Sequence, residues 1–505
     1  MPFCSAASNA ILAECEVLNL KPPSKVGTGV CFLDHMIDQL TSHGQLGVTL
    51  RCGIIGAAEP PTEGGGKRDA PEAPTKFFAP LKDYAIALTG RPHDRDIFIA
   101  CGGALGAALR RVVEEAVAAT GSDAPSGAAL FCCPLDEAFA EATLDLCPSV
   151  AAKRGQCVTE LTPYGNFAGS DAGRQWVGRY RTELTPLFWS ALADGLGATL
   201  TLRRVRGANA HHILESTFKS FARAFRAALD RIADGRNHGC ALPGAPPPPP
   251  PELPANLVSP ARRAERRRAT KETTIEVRVD LDAPYEAADE PAGGPAAWTG
   301  KVMTATKLRA SVEQTERIAT GIPALDRVLT AIASAGGFSL IVHCEGDRHI
   351  DDHHTAEDVA ITLGQCLHEA LGDKAGLARM GCAEGEHAGA RVRAVLDLSN
   401  RPHFESDLLL NEEYVGGGGE GASPSDAECG GVLSCEMLHH VFDSLTIETR
   451  ATCHLEMRQD TPEAGHTLGL ALAAASAFGA ALARAMRVDP RRRGAVASSK
   501  GTLSK

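Results

Sequence analysis

The stretch HIDDHHTAED, residues 349–358, concentrates three histidines and four acidic side chains in ten positions. The stretch ANAHHILEST, residues 208–217, contains the same HHxxE pattern. In a helix, side chains four positions apart project from one face, so His353 and Glu357 can bind one ion together. The adjacent His354 projects about 100° away around the helix. This pattern therefore predicts a helix with metal-binding chemistry on two faces.

The second HHxxE pattern repeats the arrangement with His211, His212 and Glu215. Imidazole and carboxylate ligands without thiolates suit Mn, Fe, Co, Ni or Zn better than Ca or iron–sulfur clusters. Two further histidines, His35 and His440, bring the number of candidate ligands to four for each of two metals. The sequence therefore predicts a two-metal site with these eight ligands: His35, His211, His212, Glu215, His353, His354, Glu357 and His440.

The repetition extends beyond the histidines, because the two halves of the chain can be aligned. GTGVCFLDHMIDQLTSHG (27–44) aligns with ATGIPALDRVLTAIASAG (319–336). DIFIACGGALGAALRRVVEEA (96–116) aligns with HTAEDVAITLGQCLHEALG (354–372). Alternating apolar residues predict strands, and apolar residues at helical spacing predict helices, in the same order in both halves. We therefore expect a tandem duplication.

A proline run divides the chain into these halves. GAPPPPPPELPANLVSP, residues 244–260, cannot form a helix or a central strand and is typical of a polyproline spacer. It predicts a first domain at 1–243, a Pro-rich linker at 244–262 and a second domain at 263–505. Segments rich in Gly, Pro, Ala and acids predict disordered insertions at about 56–74, 284–300 and 416–431.

The composition excludes several classes of protein. A net charge of −11 and a pI near 5.9 argue against general binding to nucleic acid or to an anionic membrane. We see no apolar run approaching the roughly 20 residues that span a bilayer. The N-terminus has no secretory signal and no visible transit peptide, so we expect a cytoplasmic or plastid protein.

Several motifs together resemble one family, imidazoleglycerol-phosphate dehydratase of histidine biosynthesis. They are FLDHMIDQLTSHG (32–44), HHILESTFKSFARA (211–224), HIDDHHTAED (349–358) and SSKGTLS (498–504). The resemblance covers most of both halves. It implies an α+β fold with two tandem dehydratase-like domains, each a duplicated unit of sheet and helix layers. It also implies two Mn²⁺ at sites between subunits and an assembly of 24 subunits, which about 12 fused chains would supply.

The chain departs from the family because its ligands are divided between the halves. The second half has Arg327 in place of His35 and has lost the HHxxE of the last helix. The first half has lost the other set, with Arg95, Asp96, Ile99 and Leu187 at the positions of His353, His354, Glu357 and His440. Each ligand type therefore survives once, which predicts one composite two-metal site per chain and one lost site.

Since sites of the family lie between subunits, we expect each metal to take ligands from both halves. One metal would take His353, Glu357, His440 and His212, and the other His211, Glu215, His35 and His354. The sequence does not decide whether those halves come from one chain or from neighbouring chains.

The resemblance also assigns substrate contacts and a catalytic group. The phosphate contacts of the family map to Lys219, Arg379, Arg401, Ser498, Ser499 and Lys500, while Gln39 and His43 are candidates to line the substrate cleft. Glu272, in the segment RRATKETTIEV (267–277), matches the glutamate beside the substrate and is the candidate acid/base. Asp136 and Glu137, in PLDEA, are either structural or supports for catalysis. The cluster RRAERRR (262–268) is typical of a solvated linker end, with Arg268 a further candidate to reach substrate.

The expected function is metal-dependent dehydration of imidazole glycerol phosphate to imidazole acetol phosphate by a homo-oligomer. The expected partner is a small phosphate substrate, with neither nucleic acid nor membrane. Two alternatives remain open at this point. One is a two-metal phosphate-ester hydrolase that uses the same ligands, and the other is a non-catalytic scaffold.

Overall fold

The computed structural model describes most of both halves as two compact units, one from Met1 to Pro248 and one from Pro249 to Ala497. The described residues are 4–9, 11–19, 24–55, 78–80, 94–120, 127–146, 155–236 apart from 168, 238–240, 262–283, 317–416, 432–459, 466–492, 495, 496, 498 and 503. The predicted linker and the three predicted insertions lie outside these residues, except for Arg262 and Gly416 at their edges.

The first repeat of unit 1 forms one sheet and two helices. Its elements are β1 (Cys4–Ser8), β2 (Ile11–Asn19), β3 (Lys25–Gly27), α1 (Cys31–Gly44), β4 (Gly47–Ile55), β5 (Phe78–Pro80) and α2 (Asp94–Thr120). The strand order is β1-β2-β4-β3, with β5 pairing with β4. β3 runs parallel to β4, and the other pairs are antiparallel.

The second repeat of unit 1 has the same plan with a short extra hairpin. Its elements are β6 (Ala128–Leu135), β7 (Ala138–Asp145), β8 (Gln156–Glu160), β9 (Trp176–Val177), β10 (Tyr180–Arg181), α3 (Thr185–Leu196), β11 (Thr199–Arg206) and α4 (Ala210–Asp234). The sheet order is β6-β7-β11-β8, with β8 parallel to β11.

Unit 2 contains two further repeats. The third consists of β12 (Arg263–Ala269), β13 (Thr273–Asp280), β14 (Ile318–Ala319), α5 (Pro323–Gly336), β15 (Ser339–Gly346) and α6 (His353–Leu371). The fourth consists of β16 (Met380–His387), β17 (Ala390–Asp397), β18 (His403–Ser406), α7 (Cys435–Glu448), β19 (Thr452–Gln459) and α8 (His466–Ala485). Their sheet orders are β12-β13-β15-β14 and β16-β17-β19-β18.

The main sheets of the four repeats therefore share one topology, in which the third main strand of each repeat lies parallel to the fourth at the sheet edge. The prediction of two tandem α+β domains, each internally duplicated, is confirmed. The duplication also extends to local contacts. Thr28 donates to Asp34 Oδ1 before α1, and Thr320 donates to Asp326 Oδ1 before α5, both through Oγ1 at 2.6 Å.

Apolar side chains on one face of each sheet form the core with the helices. On β13, the alternating residues Ile275, Val277 and Val279 are buried, and they belong to one apolar cluster with Val359 and Leu363 of α6. The alternation is required because successive strand side chains point to opposite faces of the sheet.

The helices of each unit pack in two pairs, α1 with α4 and α2 with α3 in unit 1, and α5 with α8 and α6 with α7 in unit 2. Glycines bring the backbones close. A Cβ placed on Gly106 of α2 would lie 2.2 Å from the carbonyl oxygen of Leu192 in α3. A Cβ on Gly364 of α6 would lie 2.9 Å from that of Leu445 in α7. These two helix pairs are equivalent, as the alignment of Gly106 with Gly364 predicts.

Two expectations are wrong. RRAERRR is not a linker end, because residues 263–269 form β12; most of its arginines are exposed on that strand, as expected, but have partners within unit 2. Arg262 pairs with Asp282 at 2.6 Å, and Arg268 pairs with Asp358 at 2.7 Å. In addition, Thr467–Ala485 is long and apolar enough to cross a membrane, contrary to the expectation that no segment approaches that length. It is 78% buried, as a core helix can be.

Candidate metal centre

In unit 1, three of the predicted ligands converge where α1 packs on α4. His211 and Glu215 lie one turn apart on α4, and His211 Nε2 is 2.9 Å from Glu215 Oε2. His35 projects from α1, with Nε2 3.8 Å from the same oxygen. The ligand atoms of all three lie within 4.8 Å of one another. This donor set of two imidazoles and a carboxylate fits a divalent transition metal.

The Lys219 ammonium balances the negative charge of Glu215 within this ligand group. Its Nζ lies 2.6 Å from Glu215 Oε1, and the Lys219 side chain is only 4% exposed. Burial raises the pKa of Glu215, but the Lys219 ammonium, the hydrogen bond with His211 and the nearby His35 ring outweigh it, so the pKa lies well below its usual range. The carboxylate is therefore ionised and can act as a ligand.

In unit 2, a second group of the same composition lies where α6 packs on α7. His353 and Glu357 are one turn apart on α6, with Nε2 3.7 Å from Oε2. His440 projects from α7, and its Nε2 is 3.0 Å from Glu357 Oε1. These ligand atoms also lie within 4.8 Å of one another. Among the described residues, each unit thus holds one His–His–Glu group, on one helix pair.

The second histidine of each HHxxE lies outside its own unit's group. The rings of His211 and His212 are 6.0 Å apart and inclined at 80°, and those of His353 and His354 are 5.8 Å apart at 84°. His212 Nδ1 lies 2.8 Å from an oxygen of Glu137. His354 Nδ1 lies 3.0 Å from one of Asp347, and this hydrogen bond raises the pKa of His354. The divergence predicted from helix geometry is present in both units.

The helix pair of unit 1 that lacks ligands has become structural. At the position of His354, Asp96 is buried and accepts hydrogen bonds from Ser8 Oγ at 2.6 Å and Asn9 Nδ2 at 2.8 Å. The carboxylate therefore ties α2 to the end of the β1–β2 hairpin. Ile99 and Leu187, at the positions of Glu357 and His440, cannot bind a metal.

In unit 2, the helix pair without the ligands is α5 with α8, which is equivalent to the ligand-bearing pair α1 with α4 of unit 1. Arg327 of α5 is exposed at the position of His35. Aligning FKSFARAFRAALDR with AASAFGAALARAMR places Thr467, Leu468 and Ala471 at the HHxxE positions of α8. Thr467 is buried and hydrogen-bonds Glu412 of the loop that follows β18. This pair therefore contributes packing but no His–His–Glu group.

The candidate substrate residues fall in different environments. Glu272 is exposed in the turn between β12 and β13, and not within a strand; its negative charge also contributes to the raised pKa of His354. Gln39 and His43 lie on α1 and are each only 2% exposed, so neither faces an open cleft in unit 1.

The candidate phosphate contacts are equally varied. Lys219 binds Glu215 as described. Arg379 is buried, with Nε and Nη2 donating to the two oxygens of Asp397 at 2.7 and 2.8 Å, so it has a bidentate structural partner. Arg401 is half-buried in the loop before β18, and Ser498 is half-buried in the C-terminal segment. Ser499 and Lys500 lie outside the described residues.

One carboxylate near the site, Asp347, was not identified from the sequence. Asp347 hydrogen-bonds the ring of His354. The sequence feature that could have pointed to it is its position six residues before the first histidine of the HHxxE. Asp352 Oδ2 accepts from the backbone nitrogen of Ser434 at 2.6 Å and from its hydroxyl at 2.9 Å. Because Ser434 caps the N-terminus of α7, Asp352 fixes the helix that carries His440 against the helix that carries His353.

The fold and these groups define a tandem α+β protein with His–carboxylate sites suited to divalent metals. The family model for imidazoleglycerol-phosphate dehydratase matches residues 93–225 and 320–482, which is more than half of the chain. The chain therefore belongs to the imidazoleglycerol-phosphate dehydratase family, whose named members are hydro-lyases.

Two relatives compared by sequence agree with this membership. The dehydratase of Pyricularia oryzae is 41% identical over 196 residues, covering 39% of this chain and 79% of the relative. That of Gloeobacter violaceus is 37% identical over 202 residues, covering 40% of this chain and 93% of the relative. The solved structure from Pyrococcus furiosus is 25% identical with a TM-score of 0.32, covering 47% of this chain and all of that one.

Proposed function

We propose that this protein dehydrates imidazole glycerol phosphate to imidazole acetol phosphate in histidine biosynthesis, using one composite two-metal site per chain. Membership of the family supports the reaction. The composite site is supported by one observation, the reciprocal survival of ligands. Unit 1 keeps its His–His–Glu group on α1 and α4, and unit 2 keeps its group on α6 and α7.

A full site would take ligands from both units, whether in one chain or in neighbouring copies. The group of His35, His211 and Glu215 would be completed by His354, and the group of His353, Glu357 and His440 by His212. Each of these two histidines is excluded from its own unit's group and directed elsewhere. Random loss of ligands from two duplicated domains would rarely leave two complementary sets.

The donor set fits Mn²⁺, which when bound would supply Lewis-acid polarisation of the substrate. The chain's own residues would do the rest. Glu272 is an exposed carboxylate in the turn between β12 and β13, and we assign it the transfer of protons to and from the substrate. Arg401, Ser498, Ser499 and Lys500 are the candidates to orient the phosphate, while Arg379 would have to do so from its ion pair with Asp397.

The test is turnover of imidazole glycerol phosphate by the full chain, before and after removal of metal with a chelator. We expect an acetol phosphate product, loss of activity on chelation and recovery with Mn²⁺. Release of inorganic phosphate would instead indicate a phosphate-ester hydrolase. Failure to turn over or to bind Mn²⁺ would contradict the proposal and favour a scaffold.

The assembly is part of the same proposal. If two units of one chain replace two subunits of the family, about 12 chains would supply the 24 subunit-equivalents. The mass of the native particle measures this directly, and a monomeric chain with full activity would contradict it.

A further inference from the structure

The second histidine of each HHxxE has a carboxylate on the same ring nitrogen. Glu137 approaches Nδ1 of His212 at 2.8 Å, and Asp347 approaches Nδ1 of His354 at 3.0 Å. An ionised carboxylate can only accept hydrogen bonds, so Nδ1 must carry the proton in both pairs. In the neutral ring, Nε2 then carries the lone pair that can bind a metal.

The two carboxylates come from unrelated places in their repeats. Glu137 lies in the turn between β6 and β7, whereas Asp347 directly follows β15. They differ in side-chain length and in sequence context, yet both reach Nδ1 of the second histidine. The same contact in two different local structures indicates a shared requirement of these histidines.

Glu137 is held in place by hydrogen bonds from the start of α4, the helix that carries His212. Its Oε1 accepts from the backbone nitrogen of Asn209 at 2.9 Å and of Ala208 at 3.3 Å, at the start of α4. The carboxylate thereby connects the N-terminus of α4 to the ring of His212. Asp136 lies on the other side of that ring, 3.8 Å from Nε2 and beyond hydrogen-bond distance.

The contact between Asp347 and His354 is simpler than the contacts of Glu137. Its side chain is only 12% exposed, and its Oδ2 is the atom that contacts His354. Replacement by Asn keeps an oxygen that can accept from Nδ1 and removes only the charge, whereas replacement by Ala removes the acceptor. This position therefore offers a conservative variant that Glu137, with two sets of donors on its two oxygens, does not.

We propose that Glu137 and Asp347 are positioning residues that hold His212 and His354 with Nε2 available for metal. This inference rests on the proposed function. It assigns PLDEA a specific role, because Glu137 acts through His212 and does not itself touch the reacting atoms. Carboxylate partners of this kind orient metal-binding histidines and raise their basicity.

The first experiment measures Mn²⁺ affinity by calorimetry on the metal-free full chain. We expect Glu137→Ala and Asp347→Ala to weaken binding roughly 10–100-fold, the usual effect of removing such a partner. Asp347→Asn should recover most of the loss, which a merely structural role would not predict. Glu183→Ala and Glu386→Ala, which remove exposed carboxylates in units 1 and 2, should bind Mn²⁺ as the wild type does.

A second experiment needs no substitution of the carboxylates. ¹⁵N spectra of the metal-free, histidine-labelled protein should contain two signals protonated at Nδ1 that disappear in His212→Gln and His354→Gln, respectively. Protonation of both rings at Nε2 alone would overturn the inference, as would wild-type Mn²⁺ affinity in both alanine variants. If the wild type itself binds no Mn²⁺, the proposed function fails; if it binds and turns over while the variants bind equally well, only this inference fails.

Discussion

His35 and Arg327 occupy the same place in two helices that begin in the same way. α1 and α5 are both preceded by a threonine that donates to an aspartate of the first turn. The fold therefore tolerates either residue, and the difference between them is one of chemistry. A histidine at this place joins a ligand group, whereas an arginine, which is permanently charged, cannot bind a metal.

Lys374 gives a prediction at the residue scale. Burial lowers its pKa to about 8 from 10.5, while its Nζ donates to Asn400 Oδ1 at 2.6 Å and to the carbonyls of Thr449 and Arg450. Between those two pH values the folded protein has released this proton and the unfolded chain still holds it, so stability rises with pH across that window. The full gain is about 3 kcal/mol.

Chemical denaturation of the wild type and Lys374→Met at pH 7.5 and 10.5 checks this rise. The rise should be smaller in Lys374→Met, whose side chain does not titrate, and unchanged in Lys271→Met, which replaces an exposed lysine. Equal pH dependence in Lys374→Met and the wild type would contradict the assignment.

At the scale of elements, close packing of α2 on α3 depends on Gly106. A methyl group there would lie 2.2 Å from the Leu192 carbonyl oxygen, which is fixed backbone. We expect Gly106→Ala to cost about 1–3 kcal/mol, because overpacking outweighs the gain in helix propensity of about 1 kcal/mol.

Gly103→Ala is the matched control on the same helix, since its methyl group would meet only the Ala6 methyl at 3.0 Å. The free energy of unfolding of Gly103→Ala should stay near that of the wild type or exceed it. Equal stability of the two alanine variants would show that the helices do not approach as described.

Elements that depend on local pattern were predictable from the sequence, and those that depend on tertiary contacts were not. The HHxxE spacing predicted which side chains share a helix face, and the Gly106–Gly364 alignment predicted equivalent helices. The contacts of Asp347 and Asp352 could not be predicted, because each joins residues whose proximity depends on tertiary packing. The arginines of RRAERRR were misread because their carboxylate partners, such as Asp282 and Asp358, are distant in sequence.

At the scale of the whole molecule, the division of ligands predicts that both units are needed for one activity. His35→Ala in unit 1 and His440→Ala in unit 2 should each reduce turnover by about 100-fold or more, since each removes a ligand from the same composite site. The equivalent positions supply the controls. Arg327→Ala and Leu187→Ala should retain wild-type turnover, because those positions lie on helix pairs without a ligand group.

Two independent sites would respond differently in the same assay. Each histidine variant would then retain about half of the wild-type turnover, since the other site would still function. That result would contradict a composite site while leaving the reaction itself unchanged.

The most direct measurement of the central claim is the amount of Mn²⁺ bound per chain at saturation, determined on enzyme whose turnover is assayed in parallel. One composite site with four protein ligands for each metal predicts about two ions per chain. About four ions per chain would contradict the account, because it would mean that the two units hold two complete sites.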